Sequence, residues 1–158
     1  MRAQTTGLTV RRTVTVATTP DQAFRVFTTG MDSWWPRTHH IGSSPLKEQV
    51  VEPRAGGRCY GLSEDGTECD RGRVLAWDPP RRVVLGWHLD GEWKCDADPA
   101  HASEVEVRFV PAANGTRVEL VHRNIERHGA SAEKLHKGVS AEGGWGMLLQ
   151  LYVTAAAA

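Results

Sequence analysis

Leu8, Val10, Val14 and Val16 alternate with polar residues in LTVRRTVTVA, the period of a half-buried strand that Arg12 alone interrupts. The next segment, TTPDQAFRVFTT, changes period. Thr19 suits a helix N-cap, Pro20 the first helical position and Asp21 the positive end of the helix dipole. Ala23, Phe24, Val26 and Phe27 then form the buried side of a short helix. That helix is expected to end at GMDSWWPRTHHIG, because the residue before a proline avoids helical angles. KEQVVE, RCYGL, GRVLAW, RVVLGWHL, SEVEVRFV and TRVELVHRN read as six further strands. The segments PRAGG, SEDGTE, DPPR, a loop from Asp90 to Ala102, and Asn114-Gly115 divide them. From Ser140 to Ala158, Trp145, Leu148, Leu149 and Tyr152 recur at helical spacing. The preceding ERHGASAEKLHKGV is polar and reads as a loop with one helical turn. Sequential hairpins build an antiparallel sheet, and the last helix is its obvious cover.

Turn geometry fixes register, and register fixes faces. A two-residue turn at Asp65-Gly66 sets Gly61 opposite Asp70 and Cys59 opposite Gly72. A four-residue loop at DPPR sets Val74 opposite Leu85, Ala76 opposite Val83 and Gly72 opposite Trp87. The two deductions agree on one face, which holds Cys59, Gly61, Asp70, Gly72, Val74, Ala76, Val83, Leu85 and Trp87. The Asn114-Gly115 turn sets Phe109 opposite Leu120, Val107 opposite His122 and Val105 opposite Asn124. Glu104, Glu106, Arg108, Arg117 and Glu119 fall on the other, solvent face. The inner face is mostly apolar, but it carries Asp70, His122 and Asn124 and several very small residues near Trp87. Small residues there either let the helix pack closely or leave a cavity.

The totals narrow the reading. A chain of 158 residues fits one domain, 1–158, with enough length for a core. Zero formal net charge argues against a nucleic-acid partner. No stretch approaches the roughly 20 apolar residues of a membrane span, and the N-terminus has no apolar core of a signal peptide. Cys59, Cys69 and Cys95 are odd in number and lack framework spacing, so reduced thiols in a cytoplasm are expected.

Candidate chemistry is sparse. Trp34 and Trp35 diverge from an extended segment. One is expected to plug the core beside Phe27 and Trp145, the other to roof a cavity entrance. His39 and His40 also diverge, and His88, His101, His122 and Cys95 are scattered, so no metal site is expected. His122 points inward and needs a partner or a ligand. An inward Asp70 would have a raised pKa and could act as an acid. No nucleophile elbow, phosphate loop or zinc-helix motif is present.

TTPDQAFRVFTTGMDSWWP, VVEPRAGGR, DGTECDRGRVLAWDPPRRVVLGWHL, EVEVRFVPAANGTRVELVHR and GGWGMLLQLY together resemble the SRPBCC (START-like, Bet v 1-like) superfamily. The chain is most similar there to bacterial homologues of the activator of heat-shock-protein-90 ATPase. Cys59 departs from the aromatic residue that many relatives carry. The resemblance implies an α+β helix-grip fold, a curved antiparallel sheet of about seven strands wrapped around a long C-terminal helix, with short helices after the first strand. It also implies an apolar cavity between sheet and helix. The residues expected to line or seal that cavity are Trp34, Trp35, Cys59, Asp70, Trp87, Val107, Phe109, His122, Asn124, Trp145 and Leu148. The expected function is binding of a small hydrophobic molecule, with no cofactor, no metal and no assigned catalytic residue. A homodimer is compatible with this reading. The alternatives are a cyclase- or dehydratase-type enzyme using His122 and Asp70, and a chaperone-related interaction module. The co-chaperone role belongs to eukaryotic relatives with an additional domain, for which this length leaves no room. A fold shared so widely does not assign an activity.

Overall fold

The computed structural model describes residues 8–36, 44–92, 94–96 and 98–157. His39, His40 and Trp93 lie outside the described residues. Strands β1 (Val10–Val16), β2 (Leu46–Val51), β3 (Arg58–Ser63), β4 (Glu68–Asp78), β5 (Arg82–Trp87), β6 (Ser103–Ala112) and β7 (Gly115–Arg123) form one antiparallel sheet. Its order is β1-β7-β6-β5-β4-β3-β2. Each neighbour from β2 to β7 is therefore a sequential hairpin, and β1 closes on β7.

Helix α1 (Pro20–Phe27) starts as its sequence requires: the Thr19 hydroxyl accepts from the Gln22 N–H, and Pro20 occupies the first turn. It buries Ala23, Phe24 and Phe27, and a 3-10 turn, Met31–Ser33, follows. The final helical segment opens with a π turn, Glu142–Gly146, and continues as α3 (Met147–Ala157). Sheet and C-terminal helix make the helix-grip arrangement. Leu148, Leu149, Tyr152 and Ala156 of α3 are buried. Tyr152 packs edge-on against Phe27, with ring centres 5.1 Å apart, and its hydroxyl donates to the Ala23 carbonyl at 2.7 Å. One side chain thus joins α3 to α1.

Two sequence-based readings of the local structure are corrected. The segment taken as a loop with one helical turn is a 3-10 run, Ile125–Ser131, followed by α2 (Ala132–Ser140). Ala132, Leu135 and Val139 supply its buried face. Its other residues are polar, which hid the period. Second, Cys69 and Cys95 form a disulfide with Cα atoms 6.1 Å apart, and Cys59 is a buried free thiol. The expectation of reduced thiols fails because an isolated bridge between Leu89 and Cys95 folds the β5–β6 loop back to the start of β4. The cysteines therefore no longer point to a reducing compartment. Closing a loop over a sequence separation of 26 restricts the unfolded chain by roughly 3–4 kcal/mol.

The outer face is charged, as the alternation implied. Glu106 accepts from Arg82 and Arg123, and Arg123 also pairs with Glu104 at 3.0 Å. Burial works against the Glu106 carboxylate, but those hydrogen bonds outweigh it and hold its pKa at about 2. Among the described residues, no helix is long and apolar enough to cross a membrane.

Candidate ligand cavity

The faces of β4 are set by one-residue shifts of register. Ser63 N–H bonds to the Thr67 carbonyl, so the β3–β4 loop is the three residues Glu64, Asp65 and Gly66. Gly66 has φ 91°, the left-handed conformation such a loop requires. A three-residue loop shifts the register by one and turns Asp70 to the face of Tyr60. A β-bulge then absorbs the slip, and beyond it Cys59 does oppose Gly72. The bulge residue is Arg71. It enters the interior, 6% exposed, in the place expected for Asp70. Asp70 instead lies 2.6 Å from the Arg58 guanidinium and is half-exposed. A second bulge, at Leu75, sets Trp77 rather than Ala76 opposite Val83. Trp77 then meets Phe24, with ring centres 4.9 Å apart.

The β6–β7 turn is also shifted, but by an even step. Val107 opposes Leu120 and Val105 opposes His122, so every expected face survives. His122 is fully buried, and both ring nitrogens are occupied. Trp145 Nε1 donates to His122 Nδ1 at 3.1 Å, and His122 Nε2 lies 2.8 Å from Ser103 Oγ. An indole N–H only donates, so Nδ1 accepts and neutral His122 carries its proton on Nε2. Ser103 Oγ in turn lies 2.8 Å from His128 Nε2. Burial, then the neighbouring His128 and His136, push the His122 pKa down to about 3. His122 is thus a satisfied core histidine, without a lone pair or proton left for a ligand. Its partnership with Asp70 in acid–base chemistry is excluded, since Asp70 faces the other way.

Between the inner face of the sheet, the Phe27–Trp35 segment and Trp145 lies a cavity of about 30 Å³, room for only a water or two. Phe27, Met31 and Trp35 wall it from the α1 side, and Trp145 from the approach to α3. Cys59, Arg71, Trp87 and Leu89 are among its walls on the sheet side. Of the residues expected there, Trp35, Cys59, Trp87 and Trp145 meet at this space. Trp34 does not: it packs on Phe27 and Tyr152, and its Nε1 donates to the Val26 carbonyl at 2.8 Å. Val107, Phe109 and Leu148 are buried in the core away from the cavity wall. Asn124, expected opposite Val105, ends β7 in the left-handed conformation, φ 61°.

Two polar residues of the cavity, Gln49 and Arg71, are ones the alternation did not single out. Gln49, 3% exposed, has its Nε2 3.8 Å from Cys59 Sγ, and its Oε1 is buried with no hydrogen-bond partner among the described residues. Trp87 Nε1 is likewise buried and unpartnered. The Arg71 guanidinium sits 5.2 Å over the Trp35 ring, and burial pushes its pKa down to about 10. Burial also pushes the Cys59 thiol up to about 11, so it stays protonated. The one trace of Arg71 in the sequence is Gly72, since a glycine inside a strand marks a bulge or a close backbone approach. A Cβ at Gly72 would meet the Gly86 carbonyl oxygen at 1.9 Å. Among the described residues, no group of His, Cys, Asp and Glu could hold a metal ion.

A family model described as "Activator of Hsp90 ATPase homolog 1-like protein" matches residues 17–152. The chain belongs to that family. Family membership and the fold agree with solved structures that share the arrangement. "An anthrahydroquino-Gama-pyrone synthase Txn09 complexed with SUM" is 40% identical, with a TM-score of 0.66, over 92% of this chain and 95% of that one. CalC from Micromonospora echinospora, described as a self-sacrificing resistance protein, is 31% identical, with a TM-score of 0.70, over 94% and 93%. Protein NE0264 from Nitrosomonas europaea, 15% identical with a TM-score of 0.65, over 94% and 93%, shares the fold alone. Among curated proteins no match is found. Within this Activator of Hsp90 ATPase homolog 1-like chain, the apolar cavity with a bulge-borne arginine is the site the geometry marks out.

Proposed function

We propose that this protein binds a small hydrophobic molecule in the cavity between the sheet, the Phe27–Trp35 segment and Trp145. The observation that carries the reading is the pair of buried, unpartnered polar atoms, Gln49 Oε1 and Trp87 Nε1, on the wall of one apolar cavity. An unsatisfied buried polar group costs about 1–3 kcal/mol, so each is a place where a ligand oxygen or nitrogen restores what folding removed. An apolar space with a few convergent polar groups is the usual form of a small-molecule site. At about 30 Å³ the space holds no more than a water or two, so a larger ligand requires a wall to move. Trp35 is the wall residue contributed by the segment after the 3-10 turn rather than by the sheet.

Likeness to a synthase at 40% identity supports catalysis on such a ligand as the second reading. In this chain it would have to use Arg71 and Gln49 rather than His122 and Asp70. An interaction module ranks third, because the outer face is charged and its exposed large apolar residue is Leu75. Native mass spectrometry on protein purified gently from its own cells tests the proposal. A non-covalent mass that disappears on denaturation is the expected result. A clean unliganded mass, together with failure to bind the neutral dye Nile red, would contradict it.

A further inference from the structure

We infer that the Cys69–Cys95 disulfide is a redox-sensitive latch on the Leu89 wall of the cavity: reduction by a dithiol frees that wall and admits ligand faster. The inference rests on the cavity reading above and names a means of regulating that site.

A short chain of bonds leads from the sulfurs to the cavity. Cys95 forms a backbone bridge with Leu89. Hydrogen bonds on either side make this a short two-stranded ribbon. The Asp90 N–H donates to the Lys94 carbonyl at 3.0 Å, and the Asp96 N–H to the His88 carbonyl at 2.8 Å. Leu89 is 3% exposed and is one of the cavity walls, as is Trp87. A two-stranded ribbon is marginal by itself in water, so its attachments decide whether it holds. The first arm is tied to β4 where the His88 N–H donates to the Arg71 carbonyl at 2.7 Å. The second arm, 94–96, is tied to β4 by the disulfide. The turn between the arms is held separately, by the Gly91 N–H donating to Ser131 Oγ at 3.0 Å. Parting the sulfurs therefore frees one arm of the ribbon and leaves its turn attached.

The chemistry is thiol–disulfide exchange. Cys95 is exposed and Cys69 half-buried, so an incoming thiolate meets Cys95 Sγ first. It forms a mixed disulfide with Cys95, and Cys69 leaves as a thiolate and takes up a proton. The second thiol of the reductant then displaces Cys95. Two cysteine thiols and one oxidised dithiol result, with two electrons and two protons passed to the protein. Exposed disulfides are the readily reducible kind. Cys59 does not exchange with the pair: it is 6% exposed, and burial keeps its thiol protonated.

Stopped-flow fluorescence times the entry and exit of Nile red in the oxidised protein and after reduction with dithiothreitol. Reduction should raise both rates about 10-fold and change Kd by less than about 3-fold, since a wall that opens more often speeds passage both ways. Cys95→Ser should behave as the reduced protein with or without dithiothreitol. Leu89→Ala should make the rates insensitive to reduction, within about 2-fold, because the latched wall is gone. Amide exchange at Asp90 and Asp96 should accelerate on reduction far more than exchange across β6 and β7. Identical rates in both redox states would overturn the latch and leave the cavity reading standing. Undiminished sensitivity in Leu89→Ala would overturn the route through Leu89. Circular dichroism showing the reduced protein and Cys95→Ser unfolded would make the disulfide a structural staple and equally overturn the latch. Absence of Nile red binding in either state would remove the cavity reading itself.

Discussion

Tyr152→Ala is expected to destabilise the protein by about 3–5 kcal/mol in chemical denaturation. The side chain is fully buried, and its ring lies against Phe27 and Trp34, 5.1 and 5.5 Å between centres. Truncation opens a hole at the junction of α3, α1 and the 3-10 turn that rigid aromatic neighbours cannot close. It also leaves the Ala23 carbonyl without the hydroxyl it accepts from. Tyr152→Phe separates the two contributions. It keeps the ring and removes only the hydrogen bond, for an expected cost of about 1 kcal/mol. A loss below about 1.5 kcal/mol for Tyr152→Ala would mean that α3 is not clamped to α1 through this residue.

Acid should destabilise the fold well before its carboxylates titrate. His122 has a folded pKa of about 3, far below its unfolded value of about 6.5. Above pH 6.5 neither state holds the extra proton, and stability is unaffected. Between 6.5 and 3 the unfolded chain takes up a proton that the folded chain refuses. Stability therefore falls by about 1.4 kcal/mol per pH unit, or about 2 kcal/mol by pH 5. His128, lowered mainly by burial, adds a loss of the same sign. His101 acts oppositely: hydrogen bonding to Asp96 raises its pKa, so its contribution is present at low pH and lost as pH rises through that value. Glu106, at about 2, contributes stability that is lost only as pH falls from about 4.5. The window from pH 6.5 to 4.5 therefore reports on the histidines. His122→Gln should flatten the slope there by about 1.4 kcal/mol per unit. Identical slopes in wild type and variant would contradict the burial of a neutral imidazole.

How far the sequence could be read depended on the size of each error in turn geometry. The β6–β7 register was displaced by an even step, so Val105, Val107, Phe109, Leu120 and His122 all kept their faces. At Asp65-Gly66 the displacement was one residue, and Asp70 exchanged places with Arg71. The bulge after Asp70 then cancelled the slip, which is why Cys59, Gly72, Val74 and Trp87 were placed inward correctly. Alternation carries no sign of a bulge beyond a mid-strand glycine, so the arginine of the cavity stayed hidden. Gln49 was hidden for a related reason. Among the described residues its strand pairs with β3 alone, and a glutamine in KEQVVE has the appearance of a solvent residue. The fold itself was legible, because hairpin signals and the apolar stripe of α3 survive errors of a residue or two. Helix α2 was not, since Ala132, Leu135 and Val139 are spread among charged neighbours. Pairing of Cys69 with Cys95 depends on how the β5–β6 loop returns, which spacing alone does not encode.

The proposed ligand site is internal, against the indoles of Trp35, Trp87 and Trp145. A ¹⁵N-labelled sample titrated with Nile red reads those indole N–H signals directly. The signals of Trp35, Trp87 and Trp145 should all move, because all three indoles line the cavity. Trp77, which packs on Phe24 away from the cavity, should stay in place, as should backbone signals of the outer concavity of about 230 Å³ lined by Arg73, Leu75, His88, Glu104 and Arg127. Shifts confined to that outer surface, or saturation without any change at Trp87, would contradict the claim.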